Sequence, residues 1–261
     1  MGGHTSLRVL RLITIPISHY CEKARWGLER VGIEYREERH VQGIHRIAAR
    51  RAGGGSTVPV LVTPERTIGE SYEILRWVDE RTPPACRLFP ADAGASGEVD
   101  SLCRRFDDVI GPRGRRLIYV HMFEQDRALA LHFNDQGVPR WEDRALHHGW
   151  GFAQRFLAHA LDIRPGVEGE DEVAVFRELD FVAERLADGR PHICGERFTA
   201  ADLTFAALAA AVTLPPEYGV SLPQPRELAP RTAALVERVR EHPAGRYALT
   251  TFAQLRRHAV S

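Results

Sequence analysis

One change of pattern constrains this fold more than any single motif. From Leu7 to Arg81 short apolar runs alternate with helical spacings, whereas after Gly97 the strand signals fade and helical periodicity takes over. The first part reads as a strand over Leu7–Ile13, a helix after Ser18, a strand over Tyr35–Val41 and an irregular basic stretch. A strand over Val58–Thr63, a short one around Thr67–Gly69 and a helix over Ser71–Arg81 follow. The Pro64-Glu65-Arg66 turn is short enough for an antiparallel hairpin. The order β-α-β, connection, β-β-α predicts an α/β domain over residues 1–82. A linker is expected over 83–97, and an all-helical domain over 98–261, with helices at about Glu98–Val109, Arg113–Leu131, Arg140–Leu161, Asp171–Ala187, Thr199–Thr213 and Arg231–Arg257. Gly111-Pro112 should break or kink the first pair and Pro243 the last helix.

A chain of 261 residues with 44% hydrophobic content can bury the cores of one large or two ordinary domains. Its formal net charge is zero and it has no basic stripe, so neither a nucleic acid nor an anionic membrane is indicated as a partner. Basic residues are nearly all arginine, with Lys23 the single lysine. Cys21, Cys86, Cys103 and Cys194 are scattered, without a Cys-x-x-Cys pair, which argues against disulfides and against a metal site. No secretory apolar segment opens the chain. The most apolar stretch, Leu203–Leu214, is shorter than the ~20 residues a membrane span needs, so a cytoplasmic location is expected. Gly2 with Ser6 fits the loose pattern for N-myristoylation, as many amino termini do.

Three short elements carry chemistry. Ser18-His19-Tyr20-Cys21 lies where the first strand gives way to a helix whose apolar face is Tyr20, Ala24, Leu28 and Val31, leaving Glu22, Arg25, Glu29 and Arg30 for solvent. Ser18 would be the N-cap, where free N–H groups and the positive end of the helix dipole favour a thiolate brought there; a plain serine cap is the alternative. Thr57-Val58-Pro59-Val60 puts a proline early in a strand. That suits an edge, where a cis Val58–Pro59 bond would offer the Val58 backbone to an extended peptide, or an ordinary trans-proline would not. Gly69-Glu70-Ser71 opens the next helix with an anion site at Ser71 beside the acid Glu70. The pair suits an α-amino acid head group, or serves only as a helix cap. Later, Phe198-Thr199-Ala200-Ala201-Asp202-Leu203 specifies a capping box with a hydrophobic staple.

In this order and spacing, the three elements describe a site for a small thiol peptide. Residues 7 to 81 resemble the thioredoxin-like domain of the cytosolic glutathione transferases, and residues 98 to 257 resemble their all-helical domain, to which the Thr199-x-x-Asp202 box also belongs. The resemblance is to the serine-type, theta- or zeta-like classes. It implies that Ser18 is the catalytic group, holding the glutathione thiolate by a hydrogen bond. Val58, before a cis Pro59, would pair with the cysteinyl unit, with Tyr20 beside them among the glutathione contacts. Glu70 and Ser71 would hold the γ-glutamyl end, and His45 first, then Gln42, the glycine carboxylate. The second substrate, a small electrophile, would lie against the helical domain, where Arg115, Tyr119 and Met122 share one face. The resemblance further implies a homodimer that acts in detoxification, with glutathione as cosubstrate.

The sequence departs from that pattern in two places. Where many members carry a lysine before the Val-Pro pair, this chain has Gly53-Gly54-Gly55-Ser56-Thr57, and the helical half carries extra residues around Gly111 to Gly137. Members of the thiol-transfer branch place a reactive cysteine first in the tetrad; here that position is Ser18, and only Cys21 is kept at the last. Three alternatives stay open: a disulfide reductase using Cys21, a non-catalytic binding or regulatory protein of the same fold, and a different low-molecular-weight thiol as cosubstrate. Cys21 is expected to be buried.

Overall fold

A computed structural model describes residues 9–256. Leu7 and Arg257, at the ends of two expected elements, and the Gly2/Ser6 pattern lie outside them. Four strands, β1 (Leu10–Thr14), β2 (Tyr35–Arg39), β3 (Val60–Val62) and β4 (Thr67–Ile68), form one mixed sheet in the order β2-β1-β3-β4. β1 runs parallel to β2 and antiparallel to β3, which forms the expected hairpin with β4. Alternation along β1 sends Leu12 to one face, against Ala24 and Leu28 of α1 (His19–Arg30) and Ile74 and Val78 of α3 (Ser71–Asp79). Ile13 faces the other way, onto Ala49 of α2 (His45–Arg51) and Val60.

Beyond a short 3-10 turn at Pro84–Cys86, the rest is helical: α4 (Ala93–Asp108), α5 (Ile110–Phe123), α6 (Arg127–Asp135), α7 (Arg140–His148), α8 (Trp150–Ala160), α9 (Val167–Leu186), α10 (Ala200–Thr213), α11 (Pro230–Glu241) and α12 (Pro243–Leu255). α10 is the axis of this half, buried almost throughout and packed on α1, α4, α5, α11 and α12. Its start carries the capping box at Thr199 and Asp202; the Asp202 carboxylate also accepts from the Ile193 N–H at 2.7 Å and the Tyr247 hydroxyl at 2.6 Å. α6, α7 and α8 form a second layer whose core joins Val41, in the loop after β2, to Ile118 and Met122 of α5 and to Phe133, Leu146 and Leu157. No helix among the described residues is long and apolar enough to cross a membrane.

Several sequence expectations are corrected. α2 lies in the stretch read as irregular. The helix expected over Arg113–Leu131 is two, because Asp126 caps a new start with its carboxylate on the Ala128 N–H. The one expected over Arg140–Leu161 is divided at Gly149. α4 begins within the stretch expected to be linker, capped by Asp92, and α9 begins four residues early, after Gly166 in the left-handed region (φ 83°). Pro59 is not on an edge: β3 lies between β1 and β4, and the proline precedes the first paired residue, Val60, so no ladder bond is lost.

The largest correction concerns α1. Of the four residues expected to face solvent, Glu22 and Arg25 are fully buried, and so is Lys23, because α1 is clasped between the sheet and α10. Arg25 pairs with Glu22 at 3.2 Å and with Glu37 of β2 at 2.7 Å, while Arg256 returns from the end of α12 to Glu22 at 2.5 Å. Lys23 pairs with Asp107 of α4 at 2.8 Å. The polar face that periodicity assigns to water is instead satisfied by opposite charges from both halves.

Candidate active site

Ser18 ends the loop after β1 with an extended backbone and caps α1, its hydroxyl oxygen accepting from the Cys21 N–H at 3.4 Å. It opens onto a cavity of about 290 Å³ between the two halves, where Tyr20, Gln42, His45, Val58, Arg115, Tyr119 and Met122 also contribute walls. Eight of the eleven residues expected at the site therefore meet in one place. Pro59, Glu70 and Ser71 do not line the cavity. Glu70 holds the N-cap position of α3, exposed and without a side-chain cap bond, and Ser71 is the buried first helical residue. The Val58–Pro59 bond is cis.

The individual groups differ in what they have free. Tyr20 presents its ring, but its hydroxyl donates to the Asp107 carbonyl at 2.7 Å, and burial raises its pKa. His45 is pushed down to about 4, mainly by burial and then by Arg46; its Nδ1 accepts from the Gly43 N–H at 3.1 Å, so the neutral ring carries its proton on Nε2. Gln42 donates to the Tyr119 hydroxyl at 2.7 Å and to Asn134 of α6, which ties the loop after β2 to the helical half. Glu142 of α7, fully buried, holds the same loop by accepting from the Val41 N–H at 2.9 Å and pairing with His40 at 2.6 Å. Cys21 is fully buried and pushed up to about 11 by desolvation, against which Arg25 and then Ser18 act.

Sequence reasoning missed three features of the cavity. His19, within the tetrad, lines the wall and is pushed down to about 3 by burial and by Arg115. Phe133, Phe156 and Leu157 supply an apolar roof from α6 and α8, which no local pattern connects to Ser18. The Gly53-Gly54-Gly55 run, seen as a missing lysine, has its own cause: Gly53 and Gly55 are left-handed (φ 80° and 82°), and a Cβ on Gly54 would lie 2.4 Å from the Val60 side chain. Away from the cavity, Asp135, Asp143 and His147 bring one donor atom each within 4.8 Å of one another, a partly exposed grouping that its own ion pairs explain.

Residues 12–85 match the family described as glutathione S-transferase, N-terminal domain, and residues 165–238 match glutathione S-transferase, C-terminal domain, together more than half of the chain. The chain belongs to the glutathione S-transferase family. Solved structures of that family share its fold. Glutathione transferase F2 from Populus trichocarpa is 13% identical with a TM-score of 0.56, over 94% of this chain and 99% of that one. The theta class enzyme of Xanthomonas axonopodis pv. citri, solved with glutathione bound, is 17% identical with a TM-score of 0.53, over 93% and 98%. A glutathione S-transferase of Methylobacterium radiotolerans, in complex with glutathione sulfonate, is 21% identical with a TM-score of 0.51, over 97% and 96%. No curated protein sequence matches the chain. The thioredoxin-like half and the helical half of this glutathione S-transferase family member thus follow the family order, with the cavity at their junction.

Proposed function

We propose that the protein is a serine-type glutathione transferase, in which Ser18 stabilises the glutathione thiolate for attack on an electrophilic carbon held against α5. The observation that carries this reading is the placement of Ser18, at a helix start, on the wall of a cavity that both halves build. Its oxygen serves the cap as acceptor, and its proton is the one to turn toward a bound sulfur. Tyr20, two residues on in the same tetrad, has committed its hydroxyl proton to the Asp107 carbonyl. Lowering the thiol pKa by about two units takes ~2.7 kcal/mol, within the range of a helix terminus plus one charge-assisted hydrogen bond.

Glutathione would lie with its cysteinyl unit along Val58 and its glycine carboxylate toward the Nε2–H of His45. Gln42 is a poorer candidate for that carboxylate, because its amide N–H groups serve Tyr119 and Asn134. The γ-glutamyl end would run past Tyr20 to Ser71 and Glu70, which is near enough to Tyr20 to raise its pKa. The reductase alternative loses ground, since Cys21 is buried and its thiol strongly protonated. We further read the protein as a cytoplasmic homodimer acting in detoxification, as the family resemblance suggests.

The test is conjugation of glutathione to a generic aryl electrophile. Ser18→Ala is expected to lower kcat/KM by about a hundredfold or more, the cost of losing one donor to a developing or stabilised anion, while Cys21→Ala keeps most of the activity. The opposite ranking would sink the mechanism. No saturable heat of glutathione binding in the wild type would favour a binding protein or another thiol.

A further inference from the structure

The large majority of buried side-chain polar atoms in folded proteins have a hydrogen-bond partner. Among the described residues six buried side-chain polar atoms have no hydrogen-bond partner, and three of them, His19 Nε2, Gln42 Oε1 and Arg115 Nε, belong to residues lining the cavity. Arg115 is the telling member. Its neighbours Arg113 and Arg116 both pair with Asp171, and Arg164 pairs with Glu170, whereas Arg115 forms no hydrogen bond or ion pair with any described residue. Asp108, on the rim of the adjoining cleft that these arginines line, forms no ion pair with it. Arg115 is half-buried, with its Nε closed off from solvent, and it lines both that cleft and the cavity, whose apolar walls include Ile118, Met122, Phe133, Phe156 and Leu157 and whose other cation, Arg46, stacks on Phe156.

A buried guanidinium N–H without an acceptor is costly, and an anion in the cavity would supply one. Tyr119, one helical turn after Arg115, accepts its hydrogen bond from Gln42, which leaves its own proton to donate, and Arg115 is close enough to act on its titration. Two donors on one face of α5, a planar fork and a phenol, match a single carboxylate.

We propose that the second substrate is an apolar carboxylic acid bearing a separate electrophilic carbon, an activated alkene or a carbon with a leaving group, its carboxylate held by Arg115 and Tyr119 and its hydrocarbon body lodged under α6 and α8. This rests on the transferase reading for calling the ligand the acceptor; the carboxylate site itself does not. The experiment is calorimetric titration of the full chain with phenylbutanoate and with the matching neutral alcohol, in the wild type, Arg115→Gln and Tyr119→Phe. The wild type should prefer the acid by about tenfold or more. Arg115→Gln should abolish that preference and Tyr119→Phe narrow it. Continued binding of the alcohol reports that each variant is folded. Equal affinity for acid and alcohol in the wild type, or a preference that survives in Arg115→Gln, overturns the proposal. So does a large loss of glutathione affinity in Arg115→Gln, which would assign the guanidinium to the thiol peptide. If glutathione fails to bind the wild type while Arg115 still selects the acid, the transferase reading falls and the carboxylate site stands.

Discussion

Gly111 shows how narrowly single residues fix this site. A Cβ at that position would lie 2.2 Å from the Tyr20 hydroxyl oxygen and 2.8 Å from its ring, so the first turn of α5 approaches α1 only because no side chain intervenes. Gly111→Ala is expected to cost about 1–3 kcal/mol in thermal or urea unfolding and to weaken glutathione binding, because the displaced ring is part of the cavity wall. An unchanged melting temperature would contradict the close contact. At this scale the sequence was most legible where partners are local. The capping box is readable from Thr199 and Asp202 themselves, but the bonds from Ile193 and Tyr247 to the same carboxylate come from residues 9 and 45 positions away. Ser18 as N-cap was readable for the same reason, and the burial of Cys21 follows from its place in the first turn of a helix covered on both sides.

Among elements, the loop after β2 depends on α7 in a way no local pattern discloses. Glu142 is buried and serves both the Val41 N–H and His40, so removing it leaves a buried donor unpaired, at a cost of about 1–3 kcal/mol. Glu142→Ala should raise amide exchange over residues 40–45 and lower glutathione affinity. Exchange unchanged in that loop would show that Gln42 and Val41 hold it unaided. Helix periodicity identified the helical half, yet it merged α5 with α6 and α7 with α8. The breaks at Asp126 and Gly149 are a polar cap and a single glycine inside otherwise continuous helical spacing. α1 misled in a different way. A periodic pattern reports which face is apolar, and Glu22, Lys23 and Arg25 are buried by charge pairing instead.

For the whole molecule, buried imidazoles set a pH dependence. His19 is held down to about 3 and His45 to about 4, burial being the first cause for both. Both lie below the ordinary value of 6.5, so between that value and their own the unfolded chain binds protons that the folded one does not. Their contribution is complete above pH 6.5 and declines as the pH falls below it, by up to about 1.4 kcal/mol per pH unit for each ring. The urea midpoint should therefore be lower at about pH 5 than at about pH 7.5, before ordinary carboxylates titrate; a midpoint that holds or rises on acidification would contradict their burial as neutral rings. The buried pairing of Glu22 with Arg256 has a temporal consequence as well. The two residues are 234 positions apart. At synthesis rates of about 5–20 residues per second, Glu22 leaves the ribosome roughly 10–50 s before its partner exists. During that interval Arg25, three residues on, is the charged partner Glu22 already has, so α1 reaches its full set of buried pairs only once the last helix has been made.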